Sequence, residues 1–216
     1  MLDGHFIFWN VVVWAAAMAG VAGECLLPPV LGRFYPSYHL ARDGLGKLSN
    51  PRSPVAWPYR GFRFLMGVLS ILLGIGFFFG FSPLAPLALR IALLVLCILY
   101  GIGGCLIPSV LSVVDIYDVE WMPAKVYAIA NTIGRFALQL SSLCISMILC
   151  FCGQYGLGAG TILSTLVAIL LYSLSVMSHR KEFQGTILQY TGLWEMAFLA
   201  ACYISWGIAG IWIWVS

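Results

Sequence analysis

Charge is what this sequence has least of. Only 9% of its 216 residues are Asp, Glu, Lys or Arg, where a soluble domain carries roughly 25%, so there is too little polar surface to face water on all sides. Histidine is scarcer still, with His5, His39 and His179 as the three copies. The seven cysteines, Cys25, Cys97, Cys105, Cys144, Cys150, Cys152 and Cys202, form no C-x-x-C pair and are odd in number. That spacing argues against a zinc site or disulfide framework and for small apolar filler within helices. No P-loop, G-x-S-x-G, HExxH or dinucleotide fingerprint is present. The first apolar run has no basic segment ahead of it and is too long for a cleaved leader. Gly4 is not at the second position, so no lipidation signal is expected.

What fills the chain instead is apolar sequence, 62% of it. Crossing a bilayer as a helix takes roughly 20 mainly apolar residues. Six stretches qualify, at about 6–30, 64–81, 87–114, 125–152, 159–178 and 190–214. Runs such as "VLSILLGIGFFFGF" do not alternate apolar and polar residues, which excludes a β-barrel. The expectation is an all-α, polytopic bundle of six transmembrane helices, one domain over residues 1–216 with no soluble module.

Nine of the eleven cations fall on one side of such a bundle. Arg33, Arg42, Lys47, Arg52, Arg60 and Arg63 occupy the connection at 31–63, Lys125 the third connection, and Arg180 and Lys181 the fifth. The opposite side has Arg90 alone, and Arg135 lies inside a span. Cytoplasmic connections are enriched in Lys and Arg, so an inner (cell) membrane location with both termini outside is expected. Phe6, Phe8, Trp9, Trp212 and Trp214 would mark the outer interface, and Tyr59, Trp121, Tyr190 and Trp194 the inner one. The cations are interrupted by Pro and Gly and sit beside the bilayer, so anionic headgroups rather than nucleic acid are the expected contact, with Arg52, Arg60 and Arg63 nearest them.

The 31–63 connection is the one long loop. "GRFYPSYHLARDGLGKL" suits one or two helical turns, and the three prolines of "SNPRSPVAWP" oppose regular helix. A connection of this length in a compact protein is usually functional or tucked against the bundle. Asp115, Asp118 and Glu120 are expected to neutralise it and dock it. Gly76 with Gly80, and Ala16 with Gly20, have the spacing that permits close helix contact.

Chemistry is most legible in the fourth span. Asn131, Arg135, Gln139, Ser142 and Ser146 recur at three- and four-residue intervals and share one helix face, with Thr132 at its edge. Arg135 lies roughly 16 Å from the inner end of its span at the helical rise, near the bilayer centre. An unpaired cation there costs about 2.5–3.5 kcal/mol or more, so it needs a carboxylate. Glu24, about 9 Å inside the first span, and Glu195, about 8 Å inside the sixth, are the two candidates. A cluster of Arg135 with Glu24, Glu195 or both is expected. Tyr100, Gly104, Pro108 and Ser112 share a face of the third span, and Pro108 should kink it. Thr161, Thr165, Tyr172 and Ser175 form a looser face on the fifth. His39, Asp43 and His179 are expected as solvated interfacial residues rather than a metal site, and no residue pattern names a cofactor.

"FYPSYHLARDGLGKLSNPRSPVAWPYRGFRFLMGVL" resembles the signature of a prokaryotic membrane family, domain of unknown function 998. Asp43, Leu45, Lys47, Leu48, Pro51, Ser53 and Pro54 stand in its first motif, and Phe62, Leu65 and Gly67 in its second. "GIGGCLIPSV" and "VYAIANTIGRFALQL" are similar to its third and fourth spans. Lys47 stands where the family carries an acidic residue, and the histidine before the fourth span is absent. The resemblance implies six spans and no particular activity. A remoter likeness to DRAM-like six-span proteins implies, by analogy, a role in membrane lipid organisation.

Three functions remain open on these residues. The first is non-enzymatic binding of lipid or another apolar ligand, its polar end on the fourth-span cluster, within a complex with a membrane protein partner or a second copy. A small proton-coupled carrier using Glu24, Arg135 and Glu195 is the next, and a membrane-embedded enzyme on lipid substrates the last. Purely structural helix glue competes with all of them for the charged cluster.

Overall fold

The computed structural model describes residues 4–82, 84–111, 122–178 and 185–215. These form helices and turns, with no strand among the described residues. The helices are α1 (Gly4–Gly32), α2 (Ala56–Gly80), α3 (Leu87–Leu99), α4 (Ile107–Val110), α5 (Met122–Phe151), α6 (Tyr155–Met177) and α7 (Thr191–Val215). A π-helical stretch, Tyr100–Leu106, joins α3 to α4, so Leu87–Val110 is one continuous rod. Six rods are thus long and apolar enough to cross a membrane, the build of a multi-pass membrane protein.

Their packing follows chain order. α1 lies against α2, α2 against α3, α3 against α5, α5 against α6, α6 against α7 and α7 against α1, with α5 and α7 also touching across the ring. Short connections force neighbours to run antiparallel. Gly153, at φ +77°, makes the left-handed reversal between α5 and α6 that glycine adopts without strain. Trp206 of α7 fills the centre, its ring edge-on to Tyr100 and Tyr203 at 5.6 and 5.3 Å, and its Nε1 donates to Ser141 Oγ at 2.9 Å.

One expectation needs correction. The second rod begins at Ala56, eight residues before the expected start. Pro58 falls in its first turn, where a backbone N–H needs no helical partner, so it does not stop the helix. Arg60 and Arg63 therefore belong to α2 and not to the loop. Gly80 of the expected pair meets Ile213, where an added Cβ would sit 3.0 Å away, and backbone-to-backbone crossings add to it. They are at Gly67 against Gly101, where an added Cβ on Gly101 would sit 2.7 Å from Gly67 O, and at Gly103–Gly104 against Gly134.

The long connection folds back onto the bundle. Tyr38, Leu45, Leu48 and Val55 are buried, and Leu45–Lys47 makes one 3-10 turn. Leu193 N–H at the start of α7 donates to Ala41 O at 3.2 Å. Gly192 lies so close to the Leu40 and Asp43 carbonyls that no side chain fits there. Lys47 Nζ bonds Asp43 Oδ2 and Ser37 O, both at 2.8 Å, and Asp43 Oδ2 accepts from His39 N–H at 2.7 Å. Asp115, Asp118 and Glu120, expected to dock this loop, lie outside the described residues, as do Ser112 and His179.

Candidate functional site: a polar recess at the loop end

The site grows from one proline. Pro108 has no N–H to return to Gly104 O, and the helix leaves that carbonyl open. Arg63 Nη2 donates to it. Glycines make the approach: Gly103 and Gly104 press against Gly134, where any Cβ would collide with the Gly104 backbone. This contact brings α5 against the π turn and sets Arg135, the next residue, beside Arg63.

Each arginine has its own carboxylate. Arg63 Nη1 pairs with Glu24 Oε1 at 2.8 Å, the Glu24 side chain being fully buried. Arg135 Nη2 pairs with Glu195 Oε1 at 2.6 Å. Glu195 Oε2 accepts the Leu45 N–H at 2.8 Å, which ties the long loop to α7. Arg135 thus takes Glu195 of the two candidates, and Glu24 goes to Arg63. Two cations and two anions leave the cluster neutral, which is what makes it tolerable inside an apolar bundle.

A recess of about 30 Å³ lies between the two pairs, enough to admit ordered water. The loop contributes Leu45, Gly46 and Ser49, α2 contributes Tyr59 and Arg63, and the third rod contributes Tyr100, Gly104 and Pro108. Tyr127, Asn131 and Arg135 of α5 and Leu199 of α7 complete it. Below it the Tyr100 and Tyr203 hydroxyls share a hydrogen bond. Glu24 Oε2 and Gln139 Nε2 are buried with no protein partner among the described residues. In the covering loop, burial first and then the charges of Glu195 and Asp43 push the Tyr38 hydroxyl up, so it stays a neutral phenol.

The expected residues divide cleanly. Asn131 and Arg135 line the recess, and Gln139 is buried one turn deeper on the same face. Tyr100, Gly104 and Pro108 line it together, as their shared face predicted. Of the headgroup set, Arg63 turns inward and Arg60 is half-buried. Arg52 is exposed, but Arg63 keeps only 12% side-chain exposure on Glu24. Arg60 caps the end of α4, with Nε to Ser109 O at 2.7 Å and Nη2 to Val110 O at 2.8 Å, and lies 5.6 Å from the Trp57 ring. Carbonyls at the end of a helix attract a cation. Tyr59, expected at the interface, is buried and faces the recess. Tyr59 and Tyr127 carried no sequence signal as site residues. Arg63 had one: a proline four residues after a glycine on the facing span leaves a carbonyl in need of a donor.

Among the described residues, no three His, Cys, Asp or Glu side chains converge to hold a metal ion. A second, larger hollow of about 430 Å³ lies between α5 and α6, lined by Leu143, Ser146, Met147, Cys150, Phe151, Tyr155 and Ile162. It carries no charged side chain. Comparison with family models, curated proteins and solved structures gave no match, so the recess is read from its own geometry.

Proposed function

We propose that this multi-pass membrane protein binds an amphipathic ligand by its polar end in the recess at the loop end of the bundle. The observation that carries this reading is the convergence of two largely buried guanidiniums, three tyrosines and Asn131 on one small hollow within the span region. Ionisable groups held inside a membrane are costly and mark function by default. The excess of cations in the connections at that end supports placing it on the cytoplasmic side of an inner membrane, with both termini outside. Exposed Arg33, Arg42 and Arg52 would then meet anionic headgroups.

The carrier reading has less support. Beyond Tyr203 the buried hydroxyls of Ser142, Ser146, Thr161 and Thr165 bond to carbonyls one turn back in their own helices, and Phe77, Phe81 and Ile213 close the far end. A polar region that gives way to packed apolar side chains before the far end suits binding better than passage.

Native mass spectrometry of gently purified protein, with extraction of whatever co-purifies, tests the proposal. A defined amphiphile held by the parent and lost from folded Arg135→Gln is the expected result. Bare protein in both, equally folded, would make the buried charges structural.

A further inference from the structure

The recess is lined by both arginines and by neither of their carboxylates. Glu24 is fully buried and Glu195 retains 8% side-chain exposure, against 12% for Arg63 and 20% for Arg135. The pairs are neutral, but the face they turn to the hollow is guanidinium. Arg135 uses Nη2 on Glu195, and a guanidinium has five N–H donors in all, so the remainder are available to the recess. Asn131 adds an amide, and the Tyr127 hydroxyl stands beside Gly46. The lining thus holds two donor-only guanidiniums and no carboxylate, beside hydroxyls and an amide that can donate.

From this we infer that the recess recognises a single carboxylate, the head of a long-chain carboxylic acid, with Arg135, Asn131 and Tyr127 as its donors. This rests on the reading of the recess as a ligand site and names the chemistry of its ligand. Charge favours a carboxylate over a phosphate monoester. The two ion pairs already leave the cluster neutral, so a single added negative charge is tolerated inside the bundle better than two. The span region supplies the long chain, because Arg63, Tyr100, Asn131 and Arg135 lie within membrane-crossing rods.

The test is equilibrium binding of palmitate, hexadecanol, palmitoyl lysophosphatidate and acetate to the full chain in nanodiscs. Palmitate should bind saturably, and hexadecanol and lysophosphatidate should bind about tenfold or more weakly, as expected for loss of a charged hydrogen bond or for a second buried charge. Arg135→Gln and Asn131→Ala should lose palmitate. Glu195→Gln should tighten it several-fold, because the neighbouring negative charge is gone while the one remaining acceptor oxygen still holds either Arg135 or the Leu45 N–H. Structural glue would not move its two partners in opposite directions. Where Arg135→Gln fails to fold, Tyr127→Phe and Glu195→Gln still decide. Acetate binding as tightly as palmitate would keep the carboxylate and overturn the lipid source. Equal binding of palmitate and hexadecanol would overturn the carboxylate and leave the ligand site standing. No amphiphile bound at all would remove both.

Discussion

At the loop end of the bundle, Glu24 and Glu195 are buried with arginines upon them; at the opposite end, Phe77, Phe81, Trp212 and Ile213 fill the corresponding space. There the Phe81 and Trp212 rings stack at 5.6 Å. Gly80 lets Ile213 approach, and Arg90 turns onto Phe78, its Nε donating to Phe78 O at 2.9 Å. The two ends use the same helices. Packing alone is enough to join helices in lipid, through small residues and dispersion contacts. The terminal end shows this chain doing so without buried charge. The loop end adds two ion pairs to packing of this kind, and that difference is what the proposed site accounts for.

The contrast can be broken from either side. The largest effect belongs to the crossing that builds the recess. Gly134→Val places side-chain atoms in the Gly104 backbone and should leave no monodisperse protein on size exclusion. Gly207→Ala, with open space around it, should be neutral or gain about 0.5–1 kcal/mol from helix propensity. Next, Phe77→Ala should cost about 3 kcal/mol through the cavity it leaves, measured by denaturation in detergent.

At the loop end, Glu24→Gln leaves Arg63 without its counter-charge and should also cost about 3 kcal/mol. Glu24→Gln with Arg63→Gln should recover much of this, because glutamine can still donate toward Gly104 O. Additive losses would mean the pair is not a unit. The smallest effect is at the rim. Arg33→Gln, Arg42→Gln and Arg52→Gln together should leave stability within about 0.5 kcal/mol, yet weaken binding to anionic liposomes by about 1 kcal/mol per cation.

Much of the architecture was legible in the sequence because a membrane imposes length and hydropathy on every rod. The face carrying Asn131, Arg135 and Gln139 was legible for the same kind of reason, since helical periodicity is local. Pairing was not. Arg60 and Arg63 lower the local hydropathy and push the expected start of the second span to residue 64, which made helical residues look like loop. Tyr59 was misplaced with them. The choice between Glu24 and Glu195 depends on the ring order and on the Gly104–Gly134 contact, neither of which is local. Closure of the recess by Leu45 and Gly46 depends on a backbone N–H meeting a carboxylate 150 residues away, which no sequence period records.

The most direct measurement sets one substitution from each end side by side. Arg135→Gln and Phe77→Ala are purified alike, and ligand retained per folded molecule is read by native mass spectrometry against thermal stability. The account predicts that Arg135→Gln loses the ligand while largely folded, and that the folded fraction of Phe77→Ala keeps it. If retention follows stability in both, or survives Arg135→Gln, the loop end is packing like the rest.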